Sequence, residues 1–462
     1  MKRIFPFLML LFITSALHAG DPQSRKIDSL MQVSMQRGVF NGNILVARHG
    51  KIIYQASLGF ADGSRTKKLS PDLSFDIGSI CKEFNGTGIM ILKERGLLSL
   101  DDPISKFFPA LPAWAAKVKV RHLLNYTSGI PLFSPTAADS DQEMLKNLME
   151  LKELSFEPGT AYIYNHYNVY LQMRMIEKIS GQSYADFVTK NILIPCKMSH
   201  SKLNYPTNGP GMAIAFNNDF QTTRYAQEMT GWLRLPVRDL YQYITKLESY
   251  SLISKESFRE LAENFPGGES SLGSTGFENG DLTWHQHQGS NSNYEALVYS
   301  DLKSGVRIVM MTNNQNFKVH ALKSAILSIL KDEPFTIPKR SVYLDIRDKI
   351  LADHEKGLQF FSALKADHQD QYDFSFETGD LISTGKYLQR RNKLEDAISL
   401  FHLAMLPEAK PADLSYGYEL IGESYLKLDK KQEAAIYFKK AIATDPGNKN
   451  AAGLLNTLAG AR

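Results

Sequence analysis

Two apolar-rich runs, one near each end of the first 335 residues, fold back on themselves. The first, NILVARHGKIIYQASLGF (43–60), turns at His49-Gly50. The second, YEALVYSDLKSGVRIVMMTN (294–313), turns at Lys303-Ser304-Gly305. Strand-like runs joined by a short Gly-containing turn read as β-hairpins. Between them the pattern is helical, at Lys82 to Arg95, 168–181 and 237–249, and another helical run follows at 320–332. Strands at both ends with helices between imply one sheet closed by two distant segments. The expected fold class is α/β (α+β): an antiparallel sheet flanked by helices, with a helical insertion.

FTIPKRSVY (335–343), with Pro334 and Pro338 around it, marks a linker, placed at 336–345. It separates a domain at 20–335 from an all-α helical-repeat domain at 346–462. In 418–446, Tyr418, Gly422, Tyr425, Ala434, Phe438, Ala441 and Pro446 fall at tetratricopeptide-repeat spacing. There small residues let two helices approach and aromatics fill the gap. A weaker copy has Gly385, Ala397, Phe401 and Ala404, with Leu388 in place of an aromatic. Two copies are few for a free-standing solenoid, so further helices are expected in 346–380. Such a domain either binds a protein or peptide partner or packs as an appendage, and the second reading is slightly favoured.

The 462 residues carry a net charge of +4 spread along the chain, with no basic patch to suggest a nucleic-acid partner. MKRIFPFLMLLFITSALHAG opens with Lys2 and Arg3, continues through a short apolar run and reaches small Ala19. That is the pattern of an export signal at 1–19, with Leu17 imperfect at the −3 position. The run is too short for a comfortable membrane span, and no later run is long enough, so no integral span is expected after signal removal. The expected location is periplasmic or secreted. Cys81 and Cys196 are the two cysteines, read as buried free thiols.

FDIGSICKEF (75–84) contains Ser79-x-x-Lys82. The bare pattern recurs at Ser64, Ser199, Ser300, Ser328, Ser362, Ser383 and Ser424, so context singles out Ser79: it follows a short extended segment and Gly78, and opens a helix. Serine there is also a good helix cap. On a helix, i and i+3 share a face, so Lys82 can reach the Ser79 hydroxyl and act as the base a serine nucleophile needs.

From about residue 28 to 335 the chain resembles the serine hydrolases related to class C β-lactamases, D-alanyl-D-alanine carboxypeptidases and the esterases of that superfamily. GSICKEF resembles their S-x-x-K helix, and VKVRHLLNYTSGI (118–130) their LLTHTSG block, with Tyr126 where His is commoner. FEPGTAYIYNHYNVYLQMRMIEKISGQSYADF (156–187) resembles the PGT…Y-x-N…E-x-x-S-G block, and HQGSNSNYEALVYSDLKSGVRIVMMTNN (287–314) the K-T-G or H-x-G strand with its closing hairpin.

The resemblance implies a β-lactamase/transpeptidase-like fold and catalytic roles for Ser79, Lys82, Tyr164 and His287. Tyr164 would relay protons with Lys82, and His287 would face the cleft and polarise substrate or Tyr164. The backbone amides of Ser79 and Ser290 would form the oxyanion hole. Gly289 would let substrate backbone lie close to the strand, and His166, in place of the usual Asn, would bind substrate. No cofactor is implied. His285 and His287, with His166, could form a metal site, but no carboxylate-rich cluster accompanies them and no metal is expected. The expected function is an exported serine hydrolase acting through a Ser acyl-enzyme on esters or small peptides, D-amino-acid peptides among the candidates. The alternatives are a β-lactamase or D-alanyl-D-alanine carboxypeptidase, disfavoured by His in place of Lys at 287, and a silent binding protein with a peptide-binding repeat domain.

Overall fold

The computed structural model describes residues 22–132, 140–222 and 230–460. The whole expected export signal lies outside them. The chain opens with α1 (Pro22–Gln36) and the hairpin β1 (Gly42–Arg48) and β2 (Lys51–Leu58). Strand β3 (Phe75–Asp76) leads through a 3-10 turn at Gly78–Ile80 into α2 (Cys81–Glu94). Helices α3 (Val120–Leu124), α4 (Asp141–Glu150), α5 (His166–Ser180) and α6 (Tyr184–Val188) follow. Next come β4 (Lys202–Leu203), β5 (Leu233–Leu235), α7 (Val237–Glu248) and α8 (Lys255–Leu261). Strands β6 (Ser274–Glu278), β7 (Asp281–Asn291), β8 (Tyr294–Asp301) and β9 (Val306–Thr312) then run consecutively into α9 (Val319–Leu330).

The main sheet has the order β2-β1-β9-β8-β7-β6, and every neighbouring pair is antiparallel. Both hairpins are present, and β1 pairs with β9 from Gly42↔Thr312 to Arg48↔Val306, so the two ends do close one sheet. The two-residue loop of the first hairpin has positive φ at both His49 (50°) and Gly50 (76°), the twist that suits a tight hairpin. Alternation explains why the central strands read as continuous apolar runs. Ile44, Val46, Ile308 and Met310 pack on one face with Ile27, Leu30 and Leu322 of α1 and α9. Leu45, Ala47, Val309 and Met311 pack on the other with Phe84, Ile176 and Leu240. Strand β6 was not expected: five residues with a central Gly276 give no strand signal by composition. A small second sheet, β3-β5-β4, braces the segment just before Ser79.

The helices after the main sheet are α10 (Tyr343–Ala352), α11 (His354–Asp367), α12 (Glu377–Gln389), α13 (Leu394–Leu403), α14 (Pro411–Lys427), α15 (Lys431–Thr444) and α16 (Lys449–Gly460). Gly385 of α12 lies against the ring of Phe401, and Gly422 of α14 lies in the same way against Phe438; a Cβ would come within 2.4 and 2.6 Å of the rings. The 336–345 segment is not a free tether. Arg340 pairs in parallel with Tyr372, Arg37 donates to the Ile337 carbonyl, and α10 begins at Tyr343. Lys349 of α10 ion-pairs with Asp219 at 2.9 Å, which ties these helices to the preceding fold. Cys81 and Cys196 are both free and buried. Among the described residues, no helix is long and apolar enough to cross a membrane.

Candidate active site

The Gly78–Ile80 turn is set by its neighbours on β3. Asp76 Oδ1 accepts the Gly78 N–H at 2.8 Å, and Gly78 takes φ +52°, a conformation that favours glycine. Asp76 Oδ2 meets Arg234 Nη2 of β5 and Asn291 Nδ2 of β7, each at 3.0 Å. Ser79 is thereby held half-buried at the entrance to α2. One turn on, Lys82 is fully buried and its Nζ donates to Ser79 Oγ at 3.0 Å. Tyr164 Oη lies 2.6 Å from the same oxygen. Asn165, the α5 cap, locks the segment carrying Tyr164: its side chain accepts from Asn168 N–H and donates to the Ile130 carbonyl. The rings of Tyr164 and Trp232 stand 4.9 and 5.4 Å from Lys82 Nζ and wall it in. The structure therefore brings Ser79, Lys82 and Tyr164 together.

Gly289 has a different reason from the one expected. A Cβ there would sit 1.9 Å from the Ile77 carbonyl and 2.7 Å from Ser79 N, and a Cβ at Gly78 would sit 2.4 Å from Ser290 N. Both glycines thus serve a backbone-on-backbone seam between β7 and the nucleophile turn, rather than close approach of substrate. The seam brings the amides of Ser79 and Ser290 together.

His287 also departs from expectation. It shares a strand face with His285 and Gly289, but that face looks toward α2 and not into the cleft. The side chain is 2% exposed, with Nδ1 2.9 Å from Glu83 Oε1. His285 is fully buried between Glu83 (3.4 Å) and Glu248 (3.3 Å), and Arg307 Nε completes the chain of charges 2.7 Å from Glu248. Burial acts to lower the His285 pKa, but the two carboxylates outweigh it and push it up to about 10. The side-chain partners of these two histidines are therefore carboxylates, and His285 Nε2 also lies 2.8 Å from the Leu272 carbonyl.

The alternate residues of β7 face the cavity above Ser79. It measures about 350 Å³; Ser79 and Tyr164 form its floor, Gln286 and Gln288 project from β7, and Ser274, His320 and Glu269 complete the wall. Gln288 Nε2 donates to Glu295 Oε1 at 3.1 Å, and the Phe317 N–H donates to the other oxygen. Burial pushes the Glu295 carboxyl up to about 7 against those two donors. His166 opens α5 beside Trp232, with ring centroids 5.9 Å apart. Burial, with the Lys82 charge added, pushes its pKa down to about 3, so it is neutral near pH 7. It does not line this cavity. Sequence reasoning missed Gln286, Gln288, Glu269, Trp232 and the Asp76–Arg234 pair. The period-2 pattern of β7 marks two faces, and only the position of Glu83 tells which one is buried.

Comparison with known proteins covers the same region. Penicillin-binding protein 4* of Bacillus subtilis (strain 168) is 32% identical over 189 residues, 39% of this chain and 41% of that protein. The chain thus spans less than half the length of that relative. Putative penicillin-binding protein PbpX of the same organism is 25% identical over 332 residues, 68% of this chain and 82% of that protein. The structure of D-amino acid amidase from Ochrobactrum anthropi SV3 shares the fold, with a TM-score of 0.56 at 20% identity over 68% of this chain and 99% of that one. The family model described as Beta-lactamase matches residues 24–331, which carry the main sheet, Ser79, Lys82, Tyr164 and Ser290. By that match, the chain belongs to the Beta-lactamase family.

Proposed function

We propose that this protein is an exported serine hydrolase that forms an acyl-enzyme at Ser79 on esters or small peptides. The observation that carries the reading is the contact of one oxygen, Ser79 Oγ, with both Tyr164 Oη (2.6 Å) and Lys82 Nζ (3.0 Å). An attacking hydroxyl needs a proton acceptor within hydrogen-bond reach, and here two groups qualify. Ser79 Oγ attacks the carbonyl while its proton passes to Tyr164 or Lys82. The Ser79 and Ser290 amides receive the developing oxyanion, and Tyr164 returns the proton to the departing alcohol or amine. Water then releases the acyl group. Export is supported by the N-terminal stretch MKRIFPFLMLLFITSALHAG. The likeness in fold to a D-amino acid amidase supports D-configured amides as candidate substrates.

A penicillin-directed activity is the weaker alternative, because the K-T-G lysine is replaced by His287, which is buried on Glu83. The test is covalent labelling with a fluorophosphonate, read by mass spectrometry, beside turnover of p-nitrophenyl esters, D-amino-acid amides and nitrocefin. The reading expects an adduct on Ser79, ester or amide turnover, and loss of both in Ser79→Ala. No adduct on Ser79 and no effect of Ser79→Ala would overturn it.

We infer that α10–α16 are tetratricopeptide-like repeats that act first as a packed appendage. The matching Gly385–Phe401 and Gly422–Phe438 contacts support the repeat. The Lys349–Asp219 ion pair and the Arg340–Tyr372 pairing support the docking. Deleting 343–462 is expected to lower the melting temperature of the remaining hydrolase. No change would leave partner binding as the better reading of these helices.

A further inference from the structure

The wall of the cavity above Ser79 has an uneven charge. Of its lining residues, Glu269 is the carboxylate, and none is a lysine or arginine. Lys82 lies below the floor, fully buried. His320 is held toward its neutral form by burial and then by Lys323, while Lys323 itself is engaged with Gln286 at 2.7 Å. Glu269 is half-buried, and among the described residues its carboxylate has no hydrogen bond or ion pair.

The main chain on either side of Glu269 is held in place. Gly268 lies against the ring of Tyr162, where a Cβ would come within 2.6 Å, and its carbonyl accepts from Asn264 Nδ2 at 3.0 Å. On the other side, Ser270 and Gly273 exchange two backbone hydrogen bonds. The charge is felt by two tyrosines beside the site. The Tyr162 hydroxyl is pushed up to about 12, by burial first and then by Glu269. Tyr126, whose ring is 4.8 Å from that of Tyr164, is raised by burial, by Tyr164 and by Glu269.

A half-buried carboxylate with no partner favours a cation when a ligand covers it. A neutral acyl group would strip its water with nothing in exchange, and a second carboxylate would be repelled. We propose that Glu269 binds the free ammonium of the substrate, so that the preferred substrates are amino-acyl esters, amides and short peptides with an unblocked amino terminus. The proposal rests on the acyl-enzyme reading of Ser79. The bond formed is Ser79 Oγ to the carbonyl carbon of the N-terminal residue, and the bond broken is that carbon's link to the leaving alcohol or amine. The leaving group takes the serine proton, and water completes the hydrolysis.

The experiment compares D- and L-alanine p-nitroanilides with their N-acetyl counterparts on the full chain and on Glu269→Gln. Fluorophosphonate labelling of Ser79 is measured in parallel. The free-amine substrates are expected to exceed the blocked ones by about tenfold or more in kcat/KM, with most of the difference in KM. In Glu269→Gln that ratio is expected to fall toward one. Equal turnover of free and blocked substrates, or a Glu269→Gln variant that slows both equally, would overturn the ammonium assignment while Ser79 labelling persists. Absence of labelling in the unmodified protein would instead overturn the acyl-enzyme reading beneath it.

Discussion

Arg234 Nη2 and Asp76 Oδ2 lie 3.0 Å apart with both side chains fully buried, and Asp76 stands three residues before the nucleophile. The same carboxylate also holds Gly78 and Asn291, so one ion pair fixes β3, the nucleophile turn and the end of β7. Breaking a buried pair from one side leaves an uncompensated charge. Arg234→Met is expected to destabilise the fold by about 3–5 kcal/mol, while Asp76→Leu/Arg234→Met recovers much of that loss. Urea unfolding of the three proteins checks this; equal losses in the single and double variants would contradict it.

Tyr164→Phe removes one hydroxyl and keeps the ring that walls Lys82. Ester kcat is expected to drop by about 10²–10⁴-fold, with a change in stability of only about 1 kcal/mol. Steady-state kinetics and thermal melting separate the two effects. A kcat within threefold of the unmodified value would remove Tyr164 from the proton path.

Gly289→Ala places a methyl 1.9 Å from the Ile77 carbonyl and must open the seam. The expected cost is about 1–3 kcal/mol in stability, and about 10²-fold or more in kcat because the two amides move apart. Gly379→Ala, where a Cβ meets nothing within 4 Å and φ is not positive, controls for the loss of a glycine as such. An active Gly289→Ala enzyme would separate the seam from catalysis.

Glu295 predicts a pH dependence. Its folded pKa of about 7 lies above the ordinary 4.5, so the native state holds the proton more tightly. The stabilisation is complete below about pH 4.5 and is lost as pH rises through about 7, to a total of about 3 kcal/mol. Glu295→Gln is expected to flatten the unfolding free energy between about pH 5 and about pH 8. Denaturant melts across that range would show parallel curves if Glu295 were not responsible.

What the sequence made legible follows from what is local. The i, i+3 spacing of Ser79 and Lys82 needs only one turn of helix, and the Pro158-Gly159-Thr160 anchor carried the reading to Tyr164. Each hairpin announced itself through its turn. The direction of His287 was not legible, because Glu83, Glu248 and Arg307, which decide it, come from three other elements. Glu269 sits on a loop with no periodicity, so only the cavity reveals it. The alternation in β7 was legible as a pattern, but not as a choice of face.

The Asp76–Asn291 hydrogen bond beside the seam spans 215 positions of chain. A polypeptide made from its N-terminus therefore carries Ser79 and Lys82 long before the strand that completes their site exists. Helix α2 can form early from local contacts, but the seam waits for a closure across 215 positions. Catalytic competence is thus a late event in the life of each chain. Turnover in a refolding reaction would time the arrival of β7, where helical circular dichroism would time only α2 and its neighbours.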